Sequence, residues 1–288
     1  MRTTAILLAA LAFSACAKDD AVVNSVLDAS CDGQGPQQIL VVRQLTFGRA
    51  EDNISPGFDI DRRVSNADDH LSCYSPDYVD PEGVQGIDNS MAKLIPLLET
   101  TEGAALEPLM QDSINGGALL MMFEMNDLDS LENDACVDMR VYKGSGSPMI
   151  GNDGWLLANQ TMPIDTESAI NVVPGQAMID GRLEVGPIPE LSLKLQVLDL
   201  DTTLILSDVQ LRLEPQEDGT WTGMMGGGVS VAELVETATL QNVDPAVFDL
   251  IGPVLYAVAD LNRNDNDECE RISVTFELEA VPAFIYEE

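Results

Sequence analysis

Between residues 260 and 270 the chain reads Asp260-Leu261-Asn262-Arg263-Asn264-Asp265-Asn266-Asp267-Glu268-Cys269-Glu270. Oxygen-bearing side chains recur at every second position, at Asp260, Asn262, Asn264, Asn266 and Glu268. A loop wrapped around one point can turn them onto a hard cation, and Ca²⁺, which takes six to eight oxygen ligands, suits such a set. Without a metal the same stretch is a solvated acidic turn ahead of Cys269. A second acidic stretch is longer and less regular: Asp59-Ile60-Asp61, Asp68-Asp69, Asp77, Asp80 and Glu82 precede Gly86-Ile87-Asp88-Asn89. Carboxylates crowded into irregular backbone repel one another unless a cation offsets them, which marks Asp59, Asp61 and Asp88 as a candidate second Ca²⁺ site. Asp88 and Asn89 also suit the cap of a helix starting near Ser90.

Asp260, Asn262 and Asn264 resemble the D-x-[DN]-x-[DN] start of EF-hand-type calcium loops. Asp265 stands where that loop needs glycine, and Arg271 where it needs a bidentate Glu, so a looser loop completed by Asn266 or Glu268 is expected. The Gly-Phe-Asp-Ile-Asp and Gly-Ile-Asp-Asn-Ser stretches, with the terminal acidic loop, resemble uncharacterised exported proteins of delta-class proteobacteria, a resemblance that implies no activity. Enzyme signatures such as H-E-x-x-H, G-x-S-x-G and the P-loop do not occur. Ser90-Met91-Ala92-Lys93 matches S-x-x-K, but no K-T-G follows it.

The first residues carry a different chemistry. Arg2 precedes the apolar run Ala5 to Phe13, too short to span a bilayer and of the length of a signal-peptide core. Phe13-Ser14-Ala15-Cys16 resembles the lipobox of bacterial lipoproteins, with Phe13 where Leu is usual. The resemblance implies cleavage before Cys16, a diacylglycerol on its sulfur and a third acyl chain, of the palmitate type, on its amino group; several chains together anchor stably where one does not. Ala17 in place of Asp points to the outer membrane by the sorting rule of enteric bacteria. With Cys16 assigned to lipid, Cys31, Cys73, Cys136 and Cys269 remain for two disulfides outside the reducing cytoplasm, with three connectivities open. Zinc is disfavoured because these cysteines are far apart in sequence and His70 is the only histidine.

The elements that must position these groups are mostly strands. Apolar and polar residues alternate in Ser192 to Val197, Asp208 to Leu213 and Ile272 to Ala280, the pattern of strands buried on one face. Further strands are expected at Gln38 to Phe47, Gly117 to Met125, Ala135 to Lys143, Gln176 to Val185, and from Trp221 to the glycines at 226–228. Helices are expected near Met91 to Leu98, shortened by Pro96, at Ala104 to Asp112, Val229 to Ala238 and Pro245 to Leu261. The fold class is therefore mainly β, a β-sandwich-like domain with a few decorating helices, with α+β as the alternative. The domains are a signal peptide (1–15), the lipidated Cys16 with a tether (16–36) and a single β-rich domain (37–288), a split near residue 150 being the alternative.

A formal net charge of −35, from 49 acidic and 14 basic residues, repels phosphate backbones and argues against nucleic-acid binding. Cations are the favoured partners, besides membrane lipid through Cys16. Two functions stay open: a non-enzymatic, calcium-stabilised binding or structural module of the cell envelope, and a surface hydrolase of glycans or peptides using acidic residues.

Overall fold

The computed structural model describes residues 31–100, 102–197, 200–240 and 245–286. The expected signal peptide, Cys16 and the expected tether up to residue 30 lie outside them. Eight long strands carry the architecture: β1 (Gln37–Phe47), β2 (Met121–Asn126), β3 (Asp134–Lys143), β4 (Asn171–Ile179), β5 (Arg182–Val197), β6 (Leu200–Pro215), β7 (Trp221–Ser230) and β8 (Cys269–Tyr286). Each pairs antiparallel with the next, and β8 pairs back onto β1, so the sheet closes. The protein is mainly β, and the expected sandwich-like packing takes the form of one closed eight-stranded barrel with extra strands. The sheet draws on strands from both sides of residue 150.

Alternation fills the closed barrel. Leu40, Phe123, Val141, Leu183, Leu213, Met225, Phe276 and Leu278 belong to one buried cluster, and an eight-stranded barrel is just wide enough for such side chains to fill. Across the closing seam Phe47 faces Phe276 in register, and their ring centroids lie 5.1 Å apart. The outer face is polar: Arg43 pairs with Glu279 from β1 to β8, and Arg182 with Glu214 and Arg212 with Glu184 between β5 and β6. Charged pairs of this kind on the outside are the opposite of a lipid-facing apolar band.

The two ends of the barrel differ. One has only short turns, at residues 127–133, 180–181 and 216–220; at the second, Asp180 and Gly181 take φ of 50° and 77°, the geometry of a two-residue hairpin. The other end collects the long connections, residues 48–120, 144–170 and 231–268. Helix α1 (Leu106–Gly116) lies there against β1 and β5, on opposite walls, with Met110 and Ile114 buried. Helices α2 (Val231–Leu240) and α3 (Pro245–Val258) follow β7 at the same end. The expected helix at 91–98 is reduced by Pro96 to a 3₁₀ turn, Ser90–Lys93, and a single turn, Ile95–Leu98.

Of the three connectivities, the structure has Cys31–Cys136 and Cys73–Cys269, with Cα atoms 5.7 and 6.0 Å apart. The first ties the segment before β1 to β3 at the turn end. The second ties residues 48–93 to the start of β8.

Candidate metal centre

Residues 48–93 form a strap across the outer face of β7 and β8. Strand alternation that turns Val274 and Phe276 inward turns Ser273 and Thr275 outward, yet both are fully buried because the strap covers them. Gly48 N donates to Thr275 O at 2.8 Å. Asn89 Nδ2 donates to Gly48 O (3.0 Å) and Ser55 Oγ (2.8 Å), while its Oδ1 accepts Thr275 N (3.1 Å). Ser90 N donates to Ser273 Oγ at 2.7 Å. Phe58 presses onto β7 at Gly226, where a Cβ would come within 2.7 Å of its ring, and the Arg212 guanidinium sits 5.5 Å from the ring centroid. The glycine run expected to end this strand thus lies inside it and receives the strap.

Clamping the strap folds two of its loops together. Beyond Phe58 the chain bends, with Arg62 at φ 61°, so that Asp59 and Asp61 approach one another; the short ladder of Tyr78–Val79 with Gln85–Ile87 delivers Asp88 beside them. Ligand oxygens of Asp59, Asp61 and Asp88 lie within 4.8 Å of one another. The backbone holds them in place: Asp88 Oδ2 accepts Ile60 N (2.7 Å) and Asp61 N (3.1 Å), and Asp59 Oδ1 accepts Arg63 N (2.8 Å). Gly86, at φ 87°, passes so close that a Cβ would meet Arg63 O at 2.7 Å and the Asp59 carboxylate at 3.4 Å.

The electrostatics of this cluster are unbalanced. Asp88 is only 2% exposed, and desolvation, then repulsion from Asp61 and Asp260, pushes its carboxyl up to about 9. Desolvation and the Asp59 charge raise Asp61 as well, and desolvation with a smaller push from Asp61 and Asp59 raises Asp77 to about 6. Asp61 Oδ1 is buried and has no hydrogen-bond partner among the described residues. The nearest cation, Arg63, spends Nη2 on Asp69 at 2.6 Å and leaves Nε 4.0 Å from Asp61. Three oxygen donors around a point, one carrying an orphaned buried oxygen, can hold a hard cation, and without one they must take up protons.

The other predicted set is arranged differently. Leu261–Arg263 pairs with β8, so the segment from 260 to 270 is a hairpin. Asp260 turns inward, accepting Ser273 N at 2.8 Å and Ser273 Oγ at 2.5 Å, and burial pushes its carboxyl up to about 6. Asn262 and Asn264 reach the Glu270 carboxylate at 2.9 and 3.2 Å. Asn264 Oδ1 accepts Asn266 N (2.9 Å) and Glu268 N (3.1 Å), which closes the tip, and Arg263 pairs with Asp267. The five expected ligands are therefore spread over a ladder and its tip. The group of Cys31, Cys136 and Asp138 is also compact, but its sulfurs are bonded to each other and Asp138 accepts Cys31 N and Gly175 N.

Ser90 and Lys93 do meet, with Lys93 Nζ 3.2 Å from Ser90 Oγ. The serine hydroxyl donates to Val258 O at 2.6 Å and Ser90 is 1% exposed, so the serine is committed to the interior while Lys93 reaches it from the surface. Burial lowers the Lys93 ammonium against the opposing pull of Asp260, Asp77 and Asp88. This lysine is the strap's counter-charge to Asp260, a role that S-x-x-K spacing alone does not suggest. Phe58, Gly226 and Gly86 also escape a reading by spacing, since each matters only through a neighbour distant in sequence.

Fold and site together define a closed antiparallel barrel whose external strap carries a three-carboxylate cluster. Compared with known proteins, the chain matches no family model, no curated protein and no solved structure.

Proposed function

We propose that the chain is a lipoprotein of the bacterial cell envelope, held at the outer membrane through acylated Cys16, and that its barrel is a non-enzymatic binding or structural module whose strap is locked by Ca²⁺. The calcium part rests on one observation, the convergence of Asp59, Asp61 and Asp88 to within 4.8 Å. An all-oxygen donor set on bent loops suits Ca²⁺, which tolerates irregular geometry, better than Mg²⁺, which demands near-ideal octahedra. The lipobox supports the anchor, and two disulfides suit an oxidising compartment. Ser90, buried and committed to a main-chain carbonyl, supports a non-enzymatic reading over hydrolysis by an S-x-x-K serine.

Melting the protein in Ca²⁺ and in chelator tests the metal. A clear rise in calcium that is absent from Asp61→Asn supports the site, and equal melting curves for the wild type remove it. Membrane fractionation tests the anchor. Cys16→Ser should leave the membrane fraction, and if it stays there processed like the wild type, the lipoprotein reading fails.

A further inference from the structure

We propose that the long-connection end of the barrel binds the hydrocarbon chain of an amphiphile whose head group is not an anion. A cavity of about 160 Å³ opens there, between the barrel wall, α1 and α2. Its floor is Met110, Val229, Val274 and Phe276, all buried. Its rim includes Phe47, Met91, Leu98, Leu109 and Leu234, all half-buried, so large apolar side chains ring an apolar shaft. Every lining side chain is a hydrocarbon or a thioether. An apolar cavity of about 150 Å³ stays dry and accepts benzene, so water gains nothing here and a short run of methylenes fits. Each methylene moved from water into such a site contributes about 0.8 kcal/mol.

The surroundings choose the head group. Glu99 and Glu107 flank Leu98 and Leu106, and Glu233 precedes Leu234. Arg49 is shared between Glu99 (2.9 Å) and Glu107 (3.0 Å), which leaves the rim negative. Lys93, two residues from Met91, is directed elsewhere, to Ser75 and Ser90. A carboxylate or phosphate emerging at this rim meets like charge, whereas a hydroxyl does not. The ligand class is thus an alkyl chain whose head is not an anion, with an alcohol as its simplest member. The site is separate from the Asp59, Asp61 and Asp88 cluster and stands whether or not calcium binds there.

Titration of the full-length protein with the neutral fluorophore N-phenyl-1-naphthylamine tests this, with 1-decanol and decanoate as competitors and gel filtration alongside. Saturable enhancement by a monomer is expected, with decanol displacing the probe at a concentration about tenfold below decanoate. Leu109→Trp, which fills the shaft from α1, should weaken the probe by about tenfold or more, and Leu234→Glu, which puts a charge at the half-buried rim on α2, should weaken it as well, with circular dichroism confirming that both variants fold. Absence of enhancement in the wild type overturns the proposal. So does equal binding by both variants, equal displacement by decanoate, or enhancement that disappears as the protein dimerises, which would make a second copy the occupant.

Discussion

The strap from Asp59 to Asp88 and the hairpin from Asp260 to Glu270 are both rich in carboxylates and amides, yet their backbones treat those groups in opposite ways. Along the extended arm of the hairpin, residues two apart are about 6.5–7 Å apart. Oxygens sharing one Ca²⁺ at 2.3–2.6 Å lie within about 5 Å of each other. Regular alternation therefore separates Asp260 from Asn262, and each finds a different partner, Ser273 and Glu270. In the strap a reversal at Arg62 and a two-rung ladder bring together groups that no spacing rule connects. Spacing marks a metal loop only where the chain curls; on a strand the same spacing marks one face of a ladder.

The largest expected difference between the two regions is in stability. Asn89→Ala removes the donors to Gly48 O and Ser55 Oγ and strands Thr275 N in the interior, at a cost of about 3 kcal/mol in urea unfolding. Asn264→Ala, at the exposed hairpin tip, should cost about 0.5–1 kcal/mol. Equal costs would mean that the strap is not pinned as described. Calcium at about 100 times its dissociation constant should then add about 2.7 kcal/mol. That gain should vanish in Asp61→Asn and survive Asn262→Ala; the reverse pattern would move the ion to the hairpin.

Asp88→Asn divides the two regions more finely. An amide oxygen can still accept Ile60 N and Asp61 N without carrying a desolvated charge, so in chelator the variant should melt no lower than the wild type, while its response to calcium disappears. Melting that falls equally in chelator and in calcium would make Asp88 a purely structural acceptor. A further difference is in pH. Asp77 and Asp260 are raised to about 6 and Asp88 to about 9, above the unfolded value near 4, so the folded state holds more protons between these limits. With more protons bound in the folded state, stability falls as pH rises through that window. In chelator the melting temperature should thus decline from about pH 5 to pH 9, and calcium should flatten the decline. A rise with pH in chelator would contradict the desolvation of these carboxylates.

Strands were legible wherever alternation was strict, as in β6 and β8, because half-burial writes itself into the sequence. Residues 176–185 read as one strand although they fold as the end of β4, a turn and the start of β5; Asp180-Gly181 is the dipeptide signal for that turn, overlooked inside an apolar run. Gly226 to Gly228 read as a strand end because the reason for them, Phe58 and the strap, lies far away in sequence. Closure of β1 on β8 left no local mark, since a strand's inward pattern is the same in an open sandwich and a closed barrel. The number of disulfides followed from counting cysteines, while their pairing needed the strap's path. At the site, Asp59, Asp61 and Asp88 were identifiable by their charge density, but Lys93 as counter-charge to Asp260 was not.

The Cys31–Cys136 bond gives the molecule a fixed polarity. Whatever pulls on the chain upstream of Cys31 pulls on the turn end, so the load enters β3 and bypasses the strap and the apolar cavity. Were the chain moored at Cys16 as proposed, the fifteen residues up to Cys31 would reach about 50 Å at most, and the pull would arrive at the end of the barrel opposite the cavity.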